Sequence, residues 1–485
     1  MKRLFHVMLL ASILLVGCGT LAPAQTTLPF VLVTSAPNAT LTPTPFQPIP
    51  WTPTGSPAPQ PTIDSAALTV TIAPATPTQQ PTIDPNILIN TVAPLSTIDA
   101  GNSQILNNGQ ETINFLLIGS DQRHGASFRT DTMVIAILRP KEGQVSLISI
   151  PRDLWVSIPD TGTQRINTAF EDGEMNGYPG GGAGLLKDTI LYNLGIRIDH
   201  TAFVDFSGFR QIIDTLGGVD VPVSCPYTDW RLIDPSYNPN NANNWALYTA
   251  GPGLIHMDGD LSLWYARSRQ KSNDFDRGRR QQEVLRALFS QALQAGTLKR
   301  LPELYNDLKS TVETDLNLGD LLQLALYAPK MTNANIRSYY IRPPYVQSWI
   351  TEGGAYVLLP NKDSLQQLLT EAMSPSTTTE QRKKITIDVM NGTSTTGFES
   401  LASTRLNYAG YLTNSIASDR QDYAYSVLID KTTEQDRSQS DAILNVLGLS
   451  PGSLISSPDP NSQSNYLLIV GYDYQTCFKP ENLAP

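Results

Sequence analysis

Three short apolar runs separated by charged residues dominate one stretch of this chain. The runs at 115–118, 133–138 and 145–150 are rich in Ile, Leu and Val, and Gly, Pro or charged residues bound each of them. Short continuous apolar runs of this kind are typical of strands that are buried on both faces of a sheet. The sequence therefore predicts that a buried sheet forms the centre of the fold.

Charged residues stand where these predicted strands begin and end. Asp121 follows the first run, Arg129 and Asp131 precede the second, and Arg152 and Asp153 follow the third. Strand ends line the ligand crevice of open α/β sheets, where carboxylates hold metal ions and guanidinium groups hold phosphates. One such pair is more simply read as a loop salt bridge on a solvated rim, because surface pairs are common and weak. All five residues together favour a functional site.

The length and composition limit the classes of protein to which the chain can belong. Its 485 residues predict two or three domains. The net charge of −10 argues against a nucleic-acid-binding protein, because such proteins present a basic surface to phosphates. Only 16% of the residues are charged and 36 are proline, which indicates a long, uncharged, proline-rich part.

The N-terminus has the pattern of a targeting segment. Lys2 and Arg3 precede an apolar run at 4–16, and Leu-Val-Gly-Cys at 15–18 resembles a bacterial lipobox. We interpret 1–18 as a lipoprotein signal peptide that ends at Cys18, the residue that would carry the lipid. The alternative is an ordinary signal peptide with a chance cysteine. The apolar run is shorter than the roughly 20 residues of a membrane-spanning helix, so we expect a lipid anchor outside the cytoplasmic membrane.

Composition divides the rest of the chain into three parts. Residues 19–110 consist mainly of Pro, Thr, Ala, Ser and Gln, which predicts a disordered linker that lifts the folded part off the membrane. In 111–375 strand and helix patterns alternate, which predicts a layered α/β domain. A polar break at 374–380 precedes a small α+β domain at 384–475, with the predicted order β-α-β-α-β.

A second charged stretch lies at 264–286. Its basic residues are Arg267, Arg269, Lys271, Arg277, Arg279, Arg280 and Arg286. Gln281 follows Arg277 by four residues and so shares its helical face, which would let both side chains reach one ligand. A solvated helix face is the alternative, and it accounts well for Arg279, Arg280 and Arg286. Nucleic-acid binding is disfavoured, because the sequence shows no helix-turn-helix with a basic recognition helix.

Two cysteines remain if Cys18 carries a lipid. Cys225 opens a segment at 225–253, rich in Asn, Pro and Trp, that we interpret as a surface insertion, and Cys477 lies close to the C-terminus. Export permits a disulfide between them. Two separate thiols are equally compatible with the sequence.

Several segments together resemble the LytR-CpsA-Psr (LCP) family of bacterial envelope proteins. The segments are LLIGSD at 116–121, RTDTM at 129–133, SIPRD at 149–153, RINTAF at 165–170, DTLGGVDV at 214–221, LWYARSR at 263–269 and DFDRGRRQQEVL at 274–285. The part after residue 384 resembles the small C-terminal domain of some LytR-type members. The resemblance implies an α-β-α layered domain with a central mixed sheet, followed by a small α+β domain.

The family was first described as transcriptional attenuators, and its members are understood as phosphotransferases. They move glycopolymers from a polyprenyl-pyrophosphate carrier to the cell wall, usually to peptidoglycan, with Mg²⁺. The resemblance implies that Asp121 and Asp131 hold Mg²⁺, with Mn²⁺ as a substitute. It implies that the pyrophosphate is surrounded by Arg129, Arg152, Arg267, Arg269, Arg277 and Gln281. Asp153 or Asp274 would orient these arginines.

The leading hypothesis is therefore a membrane-anchored, extracytoplasmic glycopolymer phosphotransferase with Asp121, Asp131, Arg129 and Arg152 at the reaction centre. A non-catalytic protein that binds polyprenyl-linked glycan or wall is the first alternative. The paired carboxylates favour the enzyme, because pyrophosphate binding alone needs only arginines. A transcriptional attenuator is the second alternative, and the lack of a DNA-binding pattern disfavours it. One departure from the family is the lipobox, which stands where members commonly carry a membrane-spanning helix.

Overall fold

The computed structural model describes residue 106 and residues 112–120, 130–270, 274–293, 295–433 and 436–477. The predicted signal peptide and all of the predicted linker except Leu106 lie outside these residues, and so do Asp121 and Arg129. None of the helices in the described part of the chain is both long enough and apolar enough to cross a bilayer.

In the described residues, strands form two larger sheets and four two-stranded ribbons. The strands are β1 (Ile113–Ser120), β2 (Thr130–Arg139), β3 (Gln144–Ile150), β4 (Trp155–Ile158), β5 (Gly162–Arg165), β6 (His200–Asp205), β7 (Val219–Val223), β8 (Tyr227–Leu232), β9 (Trp245–Ala250), β10 (Gly253–Met257), β11 (Val312–Thr314), β12 (Ile336–Tyr340), β13 (Val346–Ile350), β14 (Tyr356–Pro360), β15 (Thr386–Asn391), β16 (Leu412–Ile416), β17 (Val427–Asp430), β18 (Leu454–Ser456) and β19 (Tyr466–Val470).

Helices connect and cover these strands. They are α1 (Ala169–Met175), α2 (Gly181–Leu194), α3 (Phe206–Thr215), α4 (Gly259–Arg267), α5 (Asp274–Ala292), α6 (Ala295–Lys299), α7 (Leu301–Leu308), α8 (Leu318–Ala325), α9 (Lys362–Met373), α10 (Thr377–Arg382), α11 (Phe398–Tyr408) and α12 (Ser438–Leu447). Asp205 and Asp258 begin α3 and α4 by accepting a backbone N–H of the first turn, as N-cap residues do.

The central sheet has six strands in the order β11-β6-β1-β2-β3-β12. Strands β1, β2 and β3 form an antiparallel meander, while β6 is parallel to β1 and β12 is parallel to β3. The sheet is therefore mixed. The three predicted apolar runs are its three central strands, and β2 and β3 are almost entirely buried because helices cover both of their faces.

Two apolar cores make the layers. On one face of the sheet, residues such as Leu116 and Ile135 pack against α1, α2 and α9, and on the other, Val134 and Leu147 pack against α5 and α8. A third core joins β7 and β10 to α3, α4 and α5. This arrangement confirms the predicted α-β-α layered domain with a central mixed sheet.

The second sheet has five strands in the order β16-β15-β19-β17-β18 and its own apolar core with α11 and α12. Strand β15 is parallel to both of its neighbours, whereas β17 and β19 are antiparallel. The small α+β region is thus confirmed. The predicted order lacked β16 and β18, whose polar or short sequences give little strand signal, and helix α10 occupies the predicted polar break at 374–380.

Contacts between the two sheet regions include one covalent bond. Cys225 and Cys477 form a disulfide, which is one of the two alternatives that the sequence left open. Helix α11 packs against β7 and β10, and the guanidinium of Arg286 lies 3.6 Å from the ring centre of Tyr408. The segment at 225–253, interpreted as a surface insertion, forms the hairpin β8–β9.

Candidate functional site

The meander brings the charged strand ends to one edge of the central sheet. Because β2 runs antiparallel to both neighbours, the end of β1 at Ser120, the start of β2 at Thr130 and the end of β3 at Ile150 lie side by side. Asp131 and Arg152 therefore meet although 21 residues separate them. Asp121 and Arg129 lie outside the described residues, so their predicted roles stay predictions.

Arg152 is the centre of this edge. Its Nη1 donates to Asp131 Oδ1 at 3.0 Å, and its Nε lies 3.5 Å from Asp153 Oδ2. Burial lowers the pKa of Arg152, but the charges of Asp153, Asp131 and Asp274 outweigh burial and raise that pKa above its ordinary value. Arg165 holds the other oxygen of Asp153, with a distance of 3.3 Å from Nε to Oδ1. Asp153 thus lies between Arg152 and Arg165, and its role in orienting the cleft arginines, which the resemblance implies, stays a prediction.

Helix α5 supplies the opposite wall of the cleft. Arg277 Nη1 lies 2.8 Å from Asp274 Oδ1, and Gln281 Nε2 donates to Thr132 Oγ1 of β2 at 2.9 Å. The predicted shared face is therefore present, and it faces the start of β2. Desolvation by burial is the main reason that the pKa of Arg277 falls to about 10, and the charge of Asp274 offsets part of it. A desolvated guanidinium of this kind gains strongly from an additional anionic partner.

The remaining predicted arginines stand at the same edge in different surroundings. The backbone N–H of Arg269 donates to Asp229 Oδ2 at 3.0 Å. Burial lowers the pKa of Arg269, and the charge of Arg152 lowers it further, which places the two guanidinium groups within electrostatic range. The guanidinium of Arg267 lies 3.5 Å from the ring centre of Phe206, which follows the end of β6 beside Ser120. Arg267 therefore flanks the cleft on the β1–β6 side.

The cleft is nearly filled by its own side chains. The cavity that Asp131, Arg152, Asp274 and Arg277 line with their neighbours measures about 30 Å³, about the volume of one water molecule. Within the described residues, Arg152 Nε and Arg277 Nη1 are buried and make no hydrogen bond, although a carboxylate oxygen lies 3.5 Å from the first and 2.8 Å from the second. Buried donors without acceptors are costly. An anion that displaced the carboxylates would satisfy these donors, so the geometry fits a phosphate ligand.

The acidic side chains fit a metal ion only together with such a ligand. Across the residues that the structure describes, no three Asp, Glu, His or Cys side chains converge as a metal-binding group. Asp131 is 28% exposed and one of its oxygens bonds to Arg152. Mg²⁺ commonly binds one or two carboxylates together with substrate phosphates and water. Asp131 therefore suits a metal site that the bound phosphate completes.

Three contributing residues were missed by the sequence reasoning. Arg165 is the first residue of the RINTAF segment, and its place in a segment shared with the family is the sequence signal that could have identified it. Gln282 Nε2 donates to Ser149 Oγ at 2.8 Å and to the Tyr339 carbonyl at 3.1 Å, which fixes α5 against β3 and β12. Asp229 accepts the backbone N–H groups of Arg269 and Gln270, but it lies in the β8–β9 hairpin, where nothing local marks it.

The solvated helix face proposed as an alternative for α5 is wrong for two of its arginines. Arg280 is 0% exposed and Arg286 is 2% exposed. Arg280 pairs with Asp276 at 2.7 Å and donates to the carbonyls of Tyr265 and Ser268. Arg286 donates to the Asn333 carbonyl and the Ser338 hydroxyl. Both are structural arginines, while Arg279 is 26% exposed and pairs with Asp276 and Glu283.

Comparison with known proteins finds relatives whose names refer to the bacterial cell wall. TagU of Oceanobacillus iheyensis, a polyisoprenyl-teichoic acid–peptidoglycan teichoic acid transferase, is 31% identical over 219 residues, 44% of this chain and 62% of that protein. LcpB of Corynebacterium glutamicum, a probable cell wall biosynthesis protein, is 34% identical over 220 residues, 42% of this chain and 47% of that protein. The chain thus spans less than two thirds of the length of either relative.

One solved structure and one family profile complete the comparison. The crystal structure of B. subtilis TagV is 24% identical with a TM-score of 0.45, covering 55% of this chain and 99% of that one. The profile of the LytR_cpsA_psr family matches residues 85–374, which is more than half of the sequence. The chain therefore belongs to the LytR_cpsA_psr family.

Proposed function

We propose that this chain is an extracytoplasmic phosphotransferase that moves a glycopolymer from a polyprenyl-pyrophosphate carrier to the cell wall. The observation that carries the proposal is the cleft at the edge of the central sheet, where Arg152 and Arg277 hold buried donors without acceptors. The name of TagU, a teichoic acid transferase with peptidoglycan as the acceptor, supports the same reaction class and acceptor, and the name of LcpB supports a role in cell wall biosynthesis.

The arginines act on the charge of the pyrophosphate. Phosphoryl transfer depends mainly on positioning and on neutralising charge, and guanidinium groups bind phosphate oxygens in pairs. Arg152 exchanges Asp131, and Arg277 exchanges Asp274, for phosphate oxygens, and Arg269 adds a third positive charge. Because Asp153 and Arg165 fix Arg152, and Thr132 fixes Gln281, the donors are oriented before the substrate arrives.

The reaction itself exchanges one phosphorus–oxygen bond for another. The acceptor hydroxyl forms a bond to the phosphorus next to the sugar, and the bridging oxygen of the pyrophosphate leaves with polyprenyl phosphate. The hydroxyl proton is released to the solvent. Asp131, with Asp121 as the predicted second carboxylate, would hold Mg²⁺, which supplies further neutralisation of phosphate charge when bound.

The chain acts outside the cytoplasmic membrane in this proposal. The disulfide between Cys225 and Cys477 is in keeping with an oxidising compartment. Lipidation at Cys18 would anchor the protein through the lipobox at 15–18. Mass spectrometry of the mature N-terminus tests this part, and an unmodified residue or cleavage elsewhere would exclude the anchor.

A reconstituted transfer reaction tests the activity. The purified protein is incubated with a polyprenyl-pyrophosphate glycan, Mg²⁺ and wall fragments, and covalently attached glycan is measured. We expect transfer by the wild type and by the control variant Arg300→Ala. This variant removes an exposed arginine that does not line the cleft. A protein that binds the donor through Arg152 but transfers nothing would be the non-catalytic binder instead.

A further inference from the structure

The small C-terminal region contains a second, larger crevice that is separate from the arginine cleft. It measures about 360 Å³, within the range of about 300–1,000 Å³ that is typical of small-molecule sites. It lies at the carboxyl ends of two adjacent parallel strands, at Asn391 of β15 and at Ser415 and Ile416 of β16. Ligands of open α/β sheets bind outside the carboxyl ends of the strands, so the position alone is that of a binding site.

The chemistry of the lining selects the class of ligand. Apart from Ile416, the lining side chains are hydroxyls, amides and one carboxylate, with no lysine or arginine among them. The neighbouring Arg420 is directed to Asp422, with a distance of 3.1 Å from Nε to Oδ1. The carboxylate, Glu399, lies in the first turn of α11, where it already offsets the positive end of the helix dipole. The lining therefore disfavours a phosphate or another anion, because the ligand would face the charge of Glu399 and no lining cation would balance it.

One wall of the crevice is held rigid by its own hydrogen bonds. Asn391 Nδ2 donates to Glu399 Oε2 at 2.7 Å and to the Thr395 carbonyl at 2.9 Å, while its Oδ1 accepts from the buried Thr393. The hydroxyl groups of Ser394 and Tyr472 lie 2.7 Å apart. This wall is therefore preorganised, and a ligand would not have to order it.

Three other polar side chains of the crevice remain available to a ligand. In the described part of the chain, the side chains of Thr396, Ser415 and Gln421 make no hydrogen bond with the protein, although all three line the crevice and are exposed. Ile416 adds an apolar surface that is 40% exposed. Convergent neutral donors and acceptors beside one apolar contact match the alternating hydroxyl and C–H surfaces of a sugar ring.

We propose that this crevice binds a neutral, polyhydroxylated saccharide. The inference rests on the geometry of β15, β16 and α11 and does not depend on the transfer reaction at the arginine cleft. It gives the C-terminal region a glycan-binding role, through which the chain would hold a sugar segment apart from the pyrophosphate that the cleft would bind.

Calorimetric titration of the full-length protein tests the proposal without carrier, metal or wall. The probes are chitotetraose, which carries acetamido groups, maltotetraose, which carries only hydroxyls, and sodium pyrophosphate. We expect saturable binding of at least one saccharide. Gln421→Ala and Thr396→Val should each weaken it by about 3- to 10-fold, the loss of one hydrogen bond worth about 1 kcal/mol.

Two control variants separate this site from the rest of the molecule. Gln463→Ala removes an exposed glutamine that precedes β19, at the amino ends of the parallel strands β15 and β19 and so away from the crevice at the carboxyl ends, and should leave saccharide binding unchanged. Arg152→Ala removes the centre of the arginine cleft and should also leave it unchanged, even if it abolishes transfer. The proposal is overturned if neither saccharide binds, if both crevice variants bind like the wild type, or if Gln421→Ala weakens pyrophosphate binding instead.

Discussion

Helix α5 carries both Arg277, which lines the cleft, and Arg280, which is buried in the core, and different groups surround the two guanidinium groups. Arg277 in the cleft faces a carboxylate and keeps a buried N–H without an acceptor. Arg280, three residues later, is enclosed by Asp276, two backbone carbonyls and the ring of Tyr227, whose centre lies 3.9 Å away. Arg286 Nε, further along the same helix, is also buried without an acceptor, but Arg286 does not line the cleft. The part of α5 that can bind an anion is therefore marked by an unsatisfied donor on a residue that lines the cleft.

The largest effect that this comparison predicts is on stability. Arg280→Ala should lower the free energy of unfolding by about 3–5 kcal/mol, because it strips a buried ion pair of its cation and leaves two carbonyls without a donor. Urea unfolding followed by fluorescence measures the change. The exposed Arg300→Ala should shift it by less than about 0.5 kcal/mol. Equal effects of the two substitutions would remove the distinction between core and cleft arginines.

The next effect is on activity. Arg152→Ala should reduce transfer on the order of 10²-fold or more, about 2.7 kcal/mol of barrier, because the cleft loses a donor and exposes Asp131 and Asp153 to the phosphates. The unfolding free energy should change by less than about 1 kcal/mol, because Arg152 is 26% exposed. Transfer rates and urea curves of the same preparation provide the test. Near wild-type turnover would reduce Arg152 to a surface charge.

A smaller effect is expected at the carboxylate. Chelation should abolish transfer and Mg²⁺ or Mn²⁺ should restore it, while Asp131→Asn should lower turnover roughly tenfold or more and raise the Mg²⁺ concentration needed for half-maximal rate. The exposed Asp307→Asn serves as the matched control and should change neither quantity. Full activity after chelation would rule out the metal, and an unchanged Mg²⁺ requirement in Asp131→Asn would exclude Asp131 as its ligand.

The smallest effect concerns Arg286, the second arginine of α5 that is buried in the core. Tyr408→Leu removes the ring that lies against Arg286 and should cost about 1 kcal/mol of stability, whereas Tyr408→Phe keeps the ring and should cost less. Thermal unfolding of both variants compares them. Transfer should be unaffected at a temperature where both are folded. If Tyr408→Leu impaired transfer but not stability, the contact would serve the cleft rather than the core.

The central strands of the fold could be predicted because each strand is marked by an apolar run within its own sequence. The apolar runs at 115–118, 133–138 and 145–150 identify β1, β2 and β3 whatever their neighbours are. Strand β16 has the sequence LTNSI, whose polar residues become part of a sheet only through pairing with β15. The disulfide partner of Cys225 depends on a contact across 252 residues and could not be derived from spacing.

The site was predicted in part for the same reason. Strand order brings Asp131 to Arg152, and helical spacing brings Gln281 beside Arg277, so both follow from local patterns. Burial does not follow from them, because Arg277 and Arg280 stand in one basic run and differ only in what the fold packs against them. The supporting role of Arg165 depends on the position of Asp153 and likewise needed the structure.

Phosphorus NMR can follow both products of the proposed transfer reaction at once. The purified protein is mixed with a polyprenyl-pyrophosphate glycan, Mg²⁺ and wall fragments, and the phosphorus signals are followed over time. We expect the diphosphate signals to disappear while a phosphodiester on the wall fragment and a polyprenyl monophosphate appear in equal amounts, and we expect Arg152→Ala to suppress both. Persistence of the diphosphate with the wild-type protein, or its hydrolysis to two monophosphates without a phosphodiester, would contradict the proposed glycopolymer transfer.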